Sequence, residues 1–454
     1  MIENKEINRT FEKYPEYKDS GVEWLGEIPE KWNILPAKRF HKVIKELNTK
    51  RQCDNVLSLT LRGVVNNNPD SPEGLVPKDY ATYQIFQKND LVFKLIDLEN
   101  ISTSRVGLVH EKGIMSSAYI RLVIGDNCFY KYAYYFYFSL YKNEVYNKLG
   151  SGVRSTLGPN DLLNLSFLKP SLLEEQIAIA NFLDDKTSKI DTAIAQKEQM
   201  IALLKERKQI IIQNAVTGKW SMVNGEWSMT PREKMKDSGV EWIGEIPEGW
   251  EVKKLRYLGQ TQNGISAGAE YFGSGFPFVS YGDVYNNIEL PKTVKGLAQS
   301  TKEDQIQYSV KKGDVFFTRT SETIEEVGFT SVCVHTIDNS TFGGFLIRFR
   351  PSSNNYLYEG FSKFYFSSVI HRAYFVKEMN LVTRASLSQE LLKNLPVLLP
   401  SIAEQKEISN YIETQSSKID QAITLQQSQI EKLKEYKSTL IDSAVTGKIK
   451  VTDE

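Results

Sequence analysis

Cysteine is scarce in this chain: three residues in 454, Cys53, Cys128 and Cys333, far apart and odd in number. That excludes a disulfide framework and a Cys-x-x-Cys metal site, and it suits a reducing cytoplasm, where the chain is expected to work. The four histidines, His41, His110, His335 and His371, are isolated, so no metal site is expected. Neither sign of charge is in excess. The 56 basic and 56 acidic residues cancel, and the global field gives no reason to expect a polyanionic partner, so any nucleic-acid role must rest on local patches. Long apolar runs are missing as well. The most apolar stretch, Tyr132 to Tyr141, lies between Lys131 and Lys142 and is about half the length needed to cross a bilayer, so it reads as a buried element. The opening MIENKEINRT is polar and lacks the apolar core of a secretory signal, so neither export nor a membrane role is expected.

The loops that cradle phosphates and cofactors are also missing. There is no GxxxxGK[ST] sequence, which argues against nucleotide hydrolysis. The nearest glycine-rich candidate, Phe272-Gly273-Ser274-Gly275, runs into Phe276, Pro277, Phe278, Val279 and Ser280, which reads as a turn and a strand with no helix start. No Asp-Pro-Pro-Tyr or Asn-Pro-Pro-Tyr motif for amino methylation occurs. No catalytic set and no bound cofactor are expected in this chain.

What the chain does contain is repetition. Its length suggests two or three domains, and 41% hydrophobic with 25% charged residues is ordinary for a globular protein. Lys18 to Trp32 (KDSGVEWLGEIPEKW) recurs as Lys236 to Trp250 (KDSGVEWIGEIPEGW), differing at two of fifteen positions, 218 residues later. A second block, Pro170 to Asp191, recurs as Pro400 to Asp420, one residue shorter. Both continue as helix and stop at the same pentapeptide, Ala215 to Lys219 and Ala444 to Lys448 (AVTGK), where glycine marks a helix end.

Each long helix carries a heptad seam. The first places Leu183, Ile190, Leu204 and Ile211 at one core position and Ile194, Ile201 and Ala215 at the other; the second places Ile412, Ile419, Leu433 and Leu440, then Ile423, Ile430 and Ala444. The seams are interrupted by Lys197 and Lys208 in one helix and Gln426 and Lys437 in the other, and polar residues at such positions fix register. Each helix should be roughly 65 Å long at about 1.5 Å per residue. Pairing the two antiparallel within the chain satisfies both seams and predicts a pseudo-twofold molecule with a body at each end.

Between the repeated blocks the bodies resemble each other faintly but in the same order. Asp90, Leu91, Val92 and Phe93 answer Asp314, Val315, Phe316 and Phe317, and Phe136 to Ser139 answer Phe364 to Ser367. The alternation of Val/Ile/Phe/Tyr runs with turn residues predicts strands with a little helix. The expected fold is α+β: two mixed globular bodies joined by two long helices in an antiparallel intramolecular coiled coil. The expected boundaries are 1–169 for the first body, 170–219 for the first long helix, 220–399 for the second body and 400–454 for the second helix and tail.

The duplicated entry motif, the two Pro-Ser openings with Glu175, Gln176 and Glu404, Gln405, the SKID pair and the two AVTGK endings resemble the conserved regions of type I restriction-modification specificity subunits, over essentially the whole chain. That resemblance implies two target recognition domains, each reading one half of a bipartite, asymmetric stretch of double-stranded DNA, with the helices holding them at a fixed separation. It also implies partners: two methyltransferase (modification) subunits that carry S-adenosylmethionine and methylate adenine, and restriction subunits that use ATP and Mg. The chain itself would be a non-catalytic recognition subunit.

The residues that could contact DNA are arginines and their neighbours in polar loops, because a guanidinium presents a planar donor fork to phosphate or guanine. Arg154 and Arg384 occupy matching positions just before each closing block; Arg62, Lys94 and Arg105 in the first body and Arg319 with Thr320 in the second are further candidates. Surface salt bridges or solvated strand ends are the ordinary alternative for such residues. A coiled-coil scaffold that binds proteins and never DNA is the competing function. Two unlike bodies in matching frames argue against it.

Overall fold

A computed structural model describes residues 11–68, 79–99, 103–150, 155–223, 225–321, 326–353, 355–371, 374–375 and 385–451. The chain forms two compact units, one of residues 1–198 with 427–454 and the other of residues 199–426. The division therefore falls inside the long helices, because the two halves of each helix pack in different units. The sequence boundaries instead treat each helix as a segment of its own.

The helices form where nothing interrupts them. Leu173–Val216 and Ile402–Val445 are each 44 residues without glycine or proline. Each begins after a proline (Pro170, Pro400), with acidic residues in the first turn, where they favour the helix dipole. Each stops at a glycine in the left-handed region, Gly218 at φ +71 and Gly447 at φ +73. In the first unit Lys437 of the second helix meets both carboxylate oxygens of Asp191 in the first, at 2.7 Å. In the second unit Lys208 meets Asp420 in the same way, at 2.8 Å. These order the helices antiparallel, and they turn two seam-breaking lysines into register pins for the aspartates of the SKID motifs. Of the seam residues, Leu183, Ile190, Ile201, Ile211, Ile412, Ile419, Ile430 and Leu440 are buried, and Ile194, Leu204, Ile423 and Leu433 are partly buried.

The framework of each unit is built from the same parts in the same chain order. In the first unit Tyr17–Asp19 pairs antiparallel with Glu27–Pro29, and Asn33–Pro36 with Ser166–Lys169. A four-stranded antiparallel sheet follows in the spatial order His41–Val43, Ile120–Ile124, Leu91–Phe93, Val106–Leu108, and then the helix Tyr130–Lys142. In the second unit Met235–Asp237 pairs with Glu245–Pro247, and Glu251–Lys254 with Pro396–Leu399. Its sheet runs Gly259–Asn263, Leu346–Pro351, Val315–Thr318, Thr330–Val332, and its body helix is Glu359–Ser367.

Period-two alternation gives each sheet two faces. Leu91 and Phe93 join the main core, which holds the entry motif, the body helix and the long helices, whereas Val92 between them joins a separate small core. Val315 and Phe317 likewise face the main core of the second unit, and Phe316 a separate one. The second face of each sheet is covered mainly by segments inserted between its first two strands in sequence, joined by one short strand inserted between its last two, and there the units differ. The first uses a hairpin, Leu57–Thr60 with Gly63–Asn66, and the pair Gln84–Phe86 with Gly113–Met115. A Cβ on Gly107 would sit 2.6 Å from Leu59 Cδ1 and 2.8 Å from Val64 Cγ2, so the hairpin's side chains pack into the space that glycine leaves on the sheet. The second instead has Phe272–Val279 between Leu297–Ala298 and Thr341–Phe342, with short helices Tyr281–Tyr285 and Lys302–Gln307.

Candidate functional site

Three repeated contacts tie the entry motif and the body helix of each unit to the long helices. The Trp32 indole donates to Glu175 Oε1 at 3.1 Å, and the Trp250 indole to Glu404 Oε1 at 2.8 Å; both indoles are 2% exposed. Gln176 and Gln405 are fully buried, and their side-chain oxygens accept the backbone N–H of Phe129 and Tyr358, the residues that precede the two body helices. The AVTGK ends complete the joint crosswise. Gly447 closes the second helix against Pro29 and Trp32 of the first entry motif, while Gly218 closes the first helix against Pro247 and Trp250 of the second. Each unit is thus gripped by the start of one helix and the end of the other.

In each unit a buried aspartate, Asp90 or Asp314, is held by an arginine of the sheet that no sequence motif marks. Asp90 Oδ2 accepts Arg121 Nε at 2.6 Å and the Gln87 N–H at 2.6 Å. Asp314 accepts Arg350 Nε and Nη2, both at 2.6 Å, and the Lys311 N–H at 2.8 Å. Burial raises the Asp90 carboxyl above its usual range despite the guanidinium. The matching Asp-apolar-apolar-Phe runs were visible in the sequence, but the arginine partners lie on strands more than thirty residues away. Both arginines alternate with main-core residues along their strands and so lie on the lobe face, where Arg121 also donates to the Ile85 carbonyl at 2.9 Å and Arg350 to the Ser309 carbonyl at 2.8 Å. The thiols of Cys128 and Cys333 are buried, which pushes each up to about 12 and makes them poor nucleophiles.

Three of the sequence candidates, Lys94, Arg319 and Thr320, lie next to a feature common to both units. In the second unit Thr320–Ser321 pairs with Ala385–Ser386, and Leu387 N–H donates to the Arg319 carbonyl at 2.8 Å. In the first, Leu157 N–H donates to the Leu95 carbonyl at 2.9 Å, and Leu98 N–H to the Ser155 carbonyl at 3.1 Å. The segment preceding each closing block therefore runs beside the strand that carries Lys94 or Arg319. Arg154 and Arg384 themselves lie outside the described residues. Arg319 and Thr320 are partly exposed, with exposed Phe345 tied to the Arg319 N–H. Lys94 is partly buried. Arg62 stands exposed at the turn of the Leu57–Asn66 hairpin, beside Leu61 at 61% exposure.

Arg105 requires a correction. It is 1% exposed, and its guanidinium donates to the carbonyls of Asp97 and Leu98, at 3.1 and 2.7 Å. Its place is inside the body, tying a loop to the sheet edge. Among the described residues no group of three or more His, Cys, Asp or Glu could hold a metal, and no helix is long and apolar enough to cross a membrane.

Residues 247–435 match the family model described as the type I restriction modification DNA specificity domain. The chain is 25% identical over 414 residues to the EcoKI specificity subunit of Escherichia coli (strain K12), covering 86% of this chain and 82% of that protein. It is 24% identical over 445 residues to the MjaVIII specificity subunit of Methanocaldococcus jannaschii, covering 93% and 94%. Two solved structures share the fold at 14% identity. One, a chain from work on complex assembly and conformational transition of the type I R-M system, has a TM-score of 0.68 and covers 92% of this chain and 98% of its own. The other, the HsdS subunit from Thermoanaerobacter tengcongensis, has a TM-score of 0.51 and covers 93% and 98%. With its duplicated entry motifs, its paired long helices and relatives that span most of its length, the chain is similar throughout to type I restriction-modification specificity subunits.

Proposed function

We propose that each unit reads one half of a bipartite, asymmetric DNA target and that the paired helices fix the separation of the halves. The observation that carries this reading is the division within each unit: an equivalent framework on one face of the sheet, and a different lobe on the other. Duplicated frameworks suit two copies of one partner, and unlike lobes suit unlike half-sites. The partners in this reading are two methyltransferase subunits, which would bring S-adenosylmethionine and methylate adenine, and restriction subunits, which would bring ATP and Mg. This chain then does no chemistry and decides where chemistry happens. Two bodies reading the same side of a duplex must be spaced by about one helical turn or a simple multiple, which a helix pair of fixed register can impose.

With no net charge, the subunit alone should bind DNA weakly and lose that binding as salt rises, much of the phosphate contact coming from its partners. Methylome sequencing of cells with and without the gene tests the proposal. A two-part adenine-methylated motif that disappears with the gene is the expected result. An unchanged methylome in an otherwise complete system contradicts it.

A further inference from the structure

The lobe of the second unit contains an element that folding alone does not explain. Phe272–Val279 ends in buried residues, but its first five residues are all exposed, and they include two phenylalanine rings, Phe272 at 36% and Phe276 at 39% exposure. Its pairing with Leu297–Ala298 slips, so that Phe272 and Phe276 both stand opposite Ala298. Gly273 and Gly275 take φ of +99 and +102 in the slip. A bulge of this kind bends a strand outward and re-aims its side chains. Between the rings, the exposed Gln299 amide donates to Ser274 Oγ at 3.1 Å, and the Lys302 ammonium lies 5.8 Å from the Phe276 ring.

We propose that the bulged ribbon of residues 272–276 and 297–299 is the base-reading element of the second unit, with Gln299 and Ser274 meeting base edges, Phe272 and Phe276 making apolar contact, and Lys302 meeting phosphate. A two-stranded ribbon fits the major groove. An amide can hydrogen-bond two atoms of adenine there, a hydroxyl serves several bases, and an aromatic ring packs on the thymine methyl. Exposed rings beside such polar groups are what a reading surface needs and what a solvated turn does not. The position agrees: the ribbon belongs to the lobe, where the two units differ, and is absent from the framework they share.

This inference rests on the proposed half-site reading, and the experiment separates the two. Gln299→Ala and Ser274→Ala are made singly in the full chain, co-expressed with its methyltransferase partner in cells lacking the wild-type gene, and the methylome is read. Both substitutions are at exposed positions, and gel filtration of the complex checks folding and assembly. The expected result is a loss of about tenfold in methylation, or a relaxed base, confined to one half of the motif, with the other half and the spacing unchanged. Wild-type motif and occupancy in both variants overturn the inference. Loss of the complex itself also overturns it, since the ribbon would then be an assembly surface. If the wild-type chain yields no two-part motif, the proposed function fails and takes this inference with it.

Discussion

The two faces of each four-stranded sheet tell different histories. On the face toward the long helices, Leu91 and Phe93 in one unit and Val315 and Phe317 in the other enter equivalent cores, beside equivalent tryptophans that hold equivalent glutamates. On the opposite face, Val92 packs under a hairpin and Phe316 under a three-stranded lobe with no common plan. A framework whose every anchor is paired twice can change only by breaking two joints. A lobe with its own small core can be replaced without disturbing the helices.

If the frameworks are equivalent, matched substitutions should hurt equally. Trp32→Ala and Trp250→Ala each remove a fully packed ring and take the indole donor from a part-buried glutamate, so each should cost about 3–5 kcal/mol of stability. Thermal and urea unfolding of the two variants would reveal similar losses, and a silent member of the pair would break the comparison. Gly218→Val and Gly447→Val should come next. Both force a β-branched residue into the left-handed region, where a Cβ would also lie 2.4 Å from Pro247 or Pro29, and each should lose about 1–3 kcal/mol.

A pH effect should distinguish the first unit at one position. His41 begins its sheet, whereas Gly259 begins the other. His41 is 2% exposed against Phe167, and burial lowers its pKa to about 4 from 6.5. Its folded pKa lies below its unfolded value, so the stability it supports is present above pH 6.5 and is lost as pH falls from 6.5 toward 4. His41→Gln should flatten that part of the melting-temperature profile; an unchanged slope would show that His41 does not carry it. The smallest effect belongs to the register pins. Asp191→Asn and Asp420→Asn each break a half-exposed ion pair and should cost no more than about 1 kcal/mol, equally in both units.

Much of the framework was legible in the sequence because it is duplicated. The tryptophans, the Glu-Gln openings, the helix stops and even the lysines that interrupt the seams could be matched copy to copy, and antiparallel pairing followed from the apolar stripes. The crosswise closure was not legible. Gly218 is followed by the second entry motif and Gly447 by the chain end, and neither pattern says that the second helix ends on Pro29 and Trp32. Arg105 misled because it follows Ser102 and Ser104 in a polar stretch, while the carbonyls that receive its guanidinium carry no sequence signal. The ribbon at Phe272 read as a plain turn and strand. Its exposure depends on a slipped register that composition does not encode.

If the framework is generic and the body specific, moving a body should move its half-site with it. A chain in which the second body is replaced by a second copy of the first, set between the same entry motif and closing helix, is expressed with the methyltransferase subunit of the proposed complex and the methylome is sequenced. A methylated target whose two halves are the same sequence is expected. The original asymmetric target, methylated as before, would contradict it.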